Sequence, residues 1–249
     1  MNLRKFVLQL IQNTWLEIPV RDLYDRLSFT KGADYDRQTS QFIHQNLAKD
    51  SNCIDIGCYR GQILQLMVAA APEGRHLAFE PVPANVTYLN SRFASENVEI
   101  LKFALSNKQG SATFNFLPDH PARSGLNVEA DEEIQTLEVD VTTLDKIVPD
   151  MDVVFVKIDV EGNELKVLEG GIELIKRTRP LVLVEFDRDF HEDPDQAGAA
   201  MFDLMASIGF SLTTLEKYLL PSKNIFNKPA FMQNFLNRED FYYVAFPSN

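Results

Sequence analysis

Apolar and polar residues alternate along this chain with two different periods. Near the N terminus, apolar side chains recur at helical spacing over residues 3–11 and again over about 39–48. From residue 51 onward, short apolar runs rich in β-branched residues alternate with helical segments. Repeated strand–helix units predict a parallel sheet with helices on both faces. We therefore expect a helical N-terminal extension or cap at 1–50 and an α/β domain at 51–249.

The same pattern predicts the individual elements. The expected strands carry the sequences NCIDIG, HLAFEP, VEILKFALS, SATFNF, TLEVDV, MDVVFVKIDV, PLVLVEF, GFSLTTL and FYYVAF. Helices are predicted at 61–71, 163–176 and 197–208. The polar region 117–135 contains proline and glycine, so it is expected to form a mobile loop.

Composition and charge exclude several classes of protein. The chain has 249 residues, of which 45% are hydrophobic, enough for a sizeable core. Its net charge of −12 argues against binding nucleic acid or an anionic membrane, because phosphate groups require a basic surface. Two cysteines form no disulfide framework, and no stretch approaches the ~20 apolar residues of a membrane span. A cytoplasmic location without stable membrane insertion is expected.

The turn after the first predicted strand, in NCIDIGCYRGQ, indicates a ligand site. Ligands of parallel sheets bind beyond the carboxyl ends of the strands, where Gly57 and Gly61 permit a tight turn and close backbone approach. The spacing D-x-G-x-x-x-G departs from the G-x-G-x-x-G of dinucleotide sites, and the Asp55 carboxylate would repel a pyrophosphate. A nicotinamide-dependent oxidoreductase is therefore disfavoured, and a cationic or zwitterionic ligand is favoured.

Glu80 ends the second predicted strand, where a carboxylate can accept hydrogen bonds from both hydroxyl groups of a ribose. Together with Asp55, it favours a nucleoside that lacks phosphates and carries an amino-acid or sulfonium group. S-adenosylmethionine has these features. The sequence therefore predicts S-adenosylmethionine as the cofactor.

Candidate chemistry follows in VKIDVEG, where alternation places Lys157, Asp159 and Glu161 on one side of a strand. A lysine in an apolar strand needs a partner, and Asp159 is the nearest, with Asp55 or Glu185 as further partners. Two interpretations stay open for Asp159, a structural ion pair or a catalytic role. Glu161 either contacts the acceptor or only favours the start of the next helix.

Glu185, His191 and His120 are further candidates. Glu185 ends a strand and is expected in the acceptor cleft or in solvent, His191 could act as a base, and His120 belongs to a presumed lid that binds substrate. For both histidines, the alternative is a solvated loop position. Mg²⁺ could be held by strand-end carboxylates, but acidic strand ends are common without a metal, and no cysteine–histidine spacing suits zinc. The carboxylates considered for Mg²⁺ are Asp159, Glu161, Glu185 and Asp187. No metal site is assigned.

Six segments, in this order, resemble the FkbM family of methyltransferases. They are CIDIGCYRGQ, LAFEPVPANVTYLN, VEILKFALSNKQGSATF, TTLDKI, VKIDVEGNELKVLEGG and RPLVLVEF, and they span about residues 50–190. The resemblance implies a class I, Rossmann-like methyltransferase fold: a three-layer α/β sandwich whose mostly parallel sheet has an antiparallel last strand. It also implies O-methylation of a hydroxyl group on a sugar, glycan or natural-product intermediate.

The resemblance further implies cofactor contacts. Asp55, Gly57 and Gly61 would frame the methionine end, Glu80 would hold the ribose beside the turn at Pro81, and Phe103, Ala104 and Leu105 would lie near the adenine. One departure is Cys58-Tyr59, where the family commonly has Ala-Asn, so we expect different packing against the cofactor there.

The cofactor residues do not distinguish the acceptor atom, which leaves other functions open. N-methylation of a small molecule or peptide is one alternative, and a non-catalytic protein that uses the fold for assembly is another. The intact cofactor positions count against the second. The expected partner is a small-molecule or glycan acceptor, and a homodimer is left open.

Overall fold

The computed structural model describes residues 31–118, 123–126, 128, 133–148 and 150–248. Within these ranges the strands are β1 (Cys53–Ile56), β2 (His76–Phe79), β3 (Val98–Leu101), β4 (Ala104–Leu105), β5 (Gly110–Phe116), β6 (Gln135–Thr142), β7 (Phe155–Ile158), β8 (Leu181–Glu185), β9 (Phe210–Thr214) and β10 (Tyr242–Pro247). Each lies within or overlaps an apolar run that predicted a strand.

The helices in the same ranges are α1 (Lys31–Asn46), α2 (Gln62–Ala70), α3 (Pro83–Arg92), α4 (Leu144–Ile147), α5 (Glu164–Glu169), α6 (Ile172–Thr178), α7 (Pro194–Ser207), α8 (Leu215–Tyr218) and α9 (Lys228–Leu236). The single helix expected at 163–176 was wrong, because the chain breaks between α5 and α6. A Cβ atom on Gly170 would lie 2.1 Å from the Ser106 carbonyl oxygen, so this break lets two backbones pack closely.

Seven strands form one sheet in the order β3-β2-β1-β7-β8-β10-β9. β1 pairs in parallel with β2 and β7, whereas β10 pairs antiparallel with both β8 and β9. This order, with the last strand inserted antiparallel, is the topology of class I methyltransferases, and the predicted fold class is confirmed. The order reverses between β1 and β7, which makes their carboxyl ends the expected ligand site.

Side-chain alternation along the strands builds a core on each face of this sheet. In β8, Val182 and Val184 face one buried cluster, and Leu183 between them faces the other. Phe42 and Ile43 of α1 belong to the second cluster, together with Phe155. The described part of the N-terminal extension therefore packs on the sheet, and the domain boundary at residue 50 stays a prediction. The helix expected near the N terminus lies outside the described residues.

A second sheet, in the order β4-β6-β5, stands beside the carboxyl ends of β1, β2 and β7 in the main sheet. The described part of the expected loop 117–135 is attached to it: Gly125 forms a bridge with Asn115, and Ser124 Oγ accepts a 3.0 Å hydrogen bond from the Leu117 amide. None of the helices in the described ranges is both long and apolar enough to cross a membrane.

Candidate functional site

A cavity of about 620 Å³ lies at the carboxyl ends of β1, β2 and β7. Its wall includes residues 55–59, 79–82, 103–105, Lys157 and 159–161, with α1 and α2 on the remaining side. The residues predicted to bind cofactor, except Gly61, thus line one cavity together with Lys157, Asp159 and Glu161.

The two glycines of the turn after β1 are required by contacts within the protein. Gly57 has a φ of 72°, and a Cβ atom there would lie 1.8 Å from the Asp159 carbonyl oxygen. Gly61 has a φ of 74°, and its Cβ would lie 2.7 Å from the Phe93 ring. Gly57 therefore lets the ends of β1 and β7 approach, and Gly61 lets the start of α2 pack against α3.

Asp55 is fully buried and faces the cavity, yet neither of its carboxylate oxygens has a hydrogen bond of normal length. Lys157 Nζ lies 3.7 Å from Oδ1. Burial raises the pKa of Asp55, and the nearby Lys157 ammonium offsets part of that effect. A buried, unsatisfied carboxylate fits the ammonium group at the methionine end of S-adenosylmethionine.

Glu80 is held by three donors. Its Oε1 accepts hydrogen bonds from the Val82 amide at 3.0 Å and from Asn85 Nδ2 at 3.2 Å, and its Oε2 accepts from the Tyr59 amide at 3.0 Å. Burial raises the pKa of Glu80 to about 7, although these bonds oppose the shift. Oε2 keeps acceptor capacity for a ribose hydroxyl group, which fits the predicted role.

The part of the cavity expected to hold the adenine has several apolar side chains in its wall. Phe103, Ala104 and Leu105 line it together with Phe114 of β5 and with Leu126, which packs against the same apolar cluster as Phe114, and Pro81 is also in the cavity wall. Cys58 is buried, which raises its pKa well above the usual range and keeps it a neutral thiol. Tyr59 adopts a φ of 47°, so an aromatic residue occupies a left-handed position that glycine adopts more readily.

Lys157 connects the turn after β1 to Asp159, which follows β7. Its Nζ donates to Asp159 Oδ2 at 3.0 Å and to the Gly57 carbonyl oxygen at 3.3 Å, and it faces Asp55. Burial would lower the pKa of Lys157, but the two carboxylates more than offset burial and raise it. The buried lysine therefore carries a charge, and its partners are those expected from the sequence.

Glu161 lies in a strained turn that a buried carboxyl group supports. The φ of Glu161 is 54° and that of Gly162 is 93°. Glu164 Oε1 accepts hydrogen bonds from the Val160 amide at 3.2 Å and from the Gly162 amide at 3.0 Å. Strain of this kind persists only where surrounding contacts impose it, and here it directs Glu161 into the cavity wall.

Glu161 and Glu185 are two buried carboxyl groups near Asp159. Burial and the negative charge of Asp159 raise the pKa of both groups, and a hydrogen bond from the Tyr242 hydroxyl partly offsets the shift of Glu185. Tyr242 lines the cavity and Glu185 lies behind it, opposite Tyr242 in the β8–β10 pairing. Glu185 thus does not line the cavity itself but contacts Tyr242, which does.

The two candidate histidines have different outcomes. His191 lies outside the cavity wall, because the 3₁₀ turn Arg188–Phe190 directs its ring onto Phe186, with ring centroids 4.6 Å apart. His191 therefore does not line the cavity with the other candidates, and its role as a base stays a prediction. His120 lies outside the described residues.

Some residues of the site were not identified from the sequence. Asn85 donates to the Glu80 side chain, and Glu164 accepts from two backbone amides. Asp36, Arg37 and Tyr242 reach the cavity from distant parts of the chain. The segments EPVPAN and VEGNE contained Asn85 and Glu164, but spacing alone does not tell where a side chain bonds. Within the described ranges, no group of three or more histidine, cysteine or acidic residues is arranged to hold a metal ion. Asp187, once considered for Mg²⁺, pairs with Arg238 at 2.6 Å.

Comparison with solved structures returns methyltransferases of low sequence identity. The methyltransferase FkbM from Methylobacillus flagellatus is 14% identical, with a TM-score of 0.48 over 85% of this chain. This chain covers only 59% of that protein. The O-methyltransferase TomG from Streptomyces achromogenes is 15% identical, with 90% and 82% of the two chains covered and a TM-score of 0.48. An rRNA methylase from Streptococcus thermophilus is 13% identical, with 85% and 95% covered and a TM-score of 0.44.

No curated protein matches the sequence. The methyltransferase FkbM domain, in contrast, matches residues 55–212, more than half of the chain. The match begins at Asp55 and includes the turn after β1, the Glu80 position and the whole VKIDVEGNE segment. The chain belongs to the FkbM family of S-adenosylmethionine-dependent methyltransferases.

Proposed function

We propose that the protein transfers a methyl group to a hydroxyl group of a sugar, glycan or natural-product intermediate. Bound S-adenosylmethionine supplies the activated methyl group, Asp55 binds its ammonium group and Glu80 binds its ribose. The observation that carries the proposal is the Lys157–Asp159 pair, which lies in the cavity wall next to the cofactor turn. Its position supports a role for Asp159 at the acceptor.

Asp159 is the proposed base. A hydroxyl group is a poor nucleophile at neutral pH, so a base within hydrogen-bond distance assists the transfer. Lys157 binds Oδ2 of Asp159 at 3.0 Å, which leaves Oδ1 to take up the acceptor proton. The rest of the rate enhancement comes from alignment, because methyl transfer needs the acceptor oxygen in line with the bond that breaks.

Glu161 and Glu185 would serve a different purpose. Burial and nearby carboxylates raise the pKa of Glu161 to about 9, so at neutral pH this cavity-wall carboxyl group holds a proton and can donate a hydrogen bond, while Glu185, whose pKa is raised to about 8, holds the Tyr242 hydroxyl. The carboxyl groups around this end of the cavity also disfavour an anion. We therefore propose an acceptor that lacks phosphate and carboxylate groups near the methylated position.

N-methylation is the second candidate. The carboxyl groups of Asp36, Asp159 and Glu161 line the same cavity, and such a wall also binds an amine. Asp159 would then remove a proton from the bound ammonium before transfer. The same residues thus serve an amino sugar or another small amine.

The experiment measures S-adenosylhomocysteine formation with matched sugars that carry either hydroxyl groups alone or one amino group. Asp159→Asn should lower kcat about 10²–10⁴-fold, the usual contribution of a general base. Its affinity for S-adenosylhomocysteine should stay within about threefold of the wild type, since the substitution keeps the shape of the side chain. Asp152→Asn, at an exposed position before β7, is the control.

Retention of kcat within about tenfold in Asp159→Asn would contradict the assignment of the base. Turnover of amino sugars alone, with the methyl group on nitrogen, would replace O-methylation by N-methylation. Cofactor binding without turnover of either series would favour the non-catalytic alternative.

A further inference from the structure

Asn85 has no part in the chemistry described so far, yet it is buried in the wall of the cofactor cavity. It is the third residue of α3 and is 5% exposed. Its Nδ2 donates to Glu80 Oε1 at 3.2 Å. A buried amide that bonds to a cofactor-binding carboxylate can control how that carboxylate is oriented and charged.

The acceptor positions of Glu80 are nearly all filled. A carboxylate has about four lone-pair positions. On Oε1, one accepts from the Val82 amide and one from Asn85, and on Oε2 one accepts from the Tyr59 amide. The position that remains, on Oε2, is the one available to a ribose hydroxyl group. A proton on Glu80 would take this same position, because the other three face donors.

We propose that Asn85 is a positioning residue that keeps Glu80 ionised and correctly oriented, so that cofactor affinity depends on both pH and Asn85. The proposal rests on the ribose-binding role of Glu80 given above. It makes proton binding and cofactor binding mutually exclusive at one carboxylate. The methyl acceptor takes no part in cofactor binding at Glu80, so the proposal is independent of whether oxygen or nitrogen is methylated.

The surroundings of Glu80 set the pH range. Burial raises its pKa to about 7, and the bonds from Val82, Asn85 and Tyr59 and the charge of Lys157 oppose this shift. Cys58 faces Glu80 from the turn after β1 and stays a neutral thiol, because burial raises its pKa. The carboxyl group of Asp55 also belongs to these surroundings, because it lies next to the Lys157 ammonium group.

The sign of the effect follows from these contacts. When Glu80 is protonated, it cannot accept a hydrogen bond from the ribose hydroxyl group. Cofactor affinity should therefore fall as the pH drops through the pKa of Glu80, and it should reach its full value above that pKa. Loss of the Asn85 bond removes one of the interactions that favour the charged form. The midpoint should then move to higher pH.

The test is calorimetric titration with S-adenosylhomocysteine from pH 5.5 to 9. Variants are Asn85→Leu, Asn85→Asp and Glu80→Gln, with Asn90→Leu on the exposed side of α3 as the control. Each unit of midpoint shift weakens binding about tenfold at low pH. We expect Asn85→Leu to bind roughly tenfold more weakly at pH 6 and to approach the wild type at pH 9. The ratio of variant to wild type cancels titration of the ligand itself.

Two further measurements distinguish a positioning role of Asn85 from a purely structural one. Asn85→Asp keeps the size of the side chain and brings a second carboxyl group to Glu80, so its midpoint should rise further. Titration in buffers of different ionisation enthalpy should show that wild-type binding at pH 6 releases close to one proton. Glu80→Gln should bind weakly at every pH and release none.

An equal loss of affinity at all pH values in Asn85→Leu and Asn85→Asp, or an unchanged midpoint in both, would overturn the proposal. A flat Glu80→Gln profile together with an unshifted Asn85→Leu profile would overturn only the role of Asn85. A Glu80→Gln variant with wild-type affinity and pH profile would instead overturn the ribose-binding role of Glu80.

Discussion

Replacing Lys157 with methionine removes the ammonium group that contacts Asp55, Asp159 and the Gly57 carbonyl oxygen. At an effective dielectric constant of about 20, charges 3.0 and 3.7 Å apart attract by about 5 kcal/mol each. Desolvation of the buried ammonium group costs several kcal/mol and offsets part of this attraction. The variant keeps two carboxylates without their cation, and breaking a buried pair in this way costs about 3–5 kcal/mol. For a chain of this size, the melting temperature should fall by roughly 6–20 °C.

The loss of unfolding free energy in Lys157→Met should also depend on pH. Without Lys157 the pKa of Asp55, already raised by burial, rises further, so its charged form becomes the destabilising species. Protonation removes that cost, and the difference in unfolding free energy between variant and wild type should shrink as pH falls from 8 to 5. Urea unfolding followed by circular dichroism at both pH values measures it, with Lys166→Met at an exposed position of α5 as the control.

A deficit below about 1 kcal/mol in Lys157→Met, or one of equal size at pH 8 and pH 5, would refute this reasoning. The first result would mean that the ion pair only balances its own desolvation. The second would mean that the variant loses packing and leaves the carboxylates as well solvated as before.

Two other substitutions test the turns around the cavity. Gly57→Ala would place a methyl group 1.8 Å from the Asp159 carbonyl oxygen, so we expect the ends of β1 and β7 to separate, with cofactor affinity lost in calorimetry. Wild-type affinity would disprove the close approach. Glu164→Ala removes the carboxyl oxygen that accepts from the partly buried Val160 and Gly162 amides and should lower the unfolding free energy by about 2–4 kcal/mol in urea titrations. Glu164→Gln keeps an acceptor oxygen and should cost less than about 1 kcal/mol, and equal losses in both would contradict the hydrogen-bonding role.

Strand and helix order was predictable because it depends on local periodicity. Each buried strand of the main sheet reads as an apolar run, and the carboxyl ends of β1, β2, β7 and β8 are marked by an acidic or glycine residue. The break between α5 and α6 was not predictable, because Gly170 is required by a contact with Ser106, more than sixty residues earlier in the chain. Periodicity carries no information on such a contact.

The residues of the functional site also divide into those that local sequence identifies and those that depend on contacts between distant segments. Asp55, Glu80 and Asp159 were identified because their positions at strand ends determine where they lie. Asn85 and Glu164 escaped notice because their roles depend on which atoms their side chains reach. The residue type of His191 suggested a base, whereas the packing of its ring on Phe186 depends on a contact that the sequence does not show.

The position of β10 has a consequence for how the protein is made. This strand comes last among the strands of the sheet, yet it lies between β8 and β9. A ribosome therefore produces β9 before the strand that joins it to the sheet, and β8 keeps an unpaired edge until residues 242–247 have been made. Assembly of this half of the sheet has to follow synthesis of β10. A chain interrupted before Tyr242 would expose two strand edges that can pair with other chains, which makes it prone to aggregation.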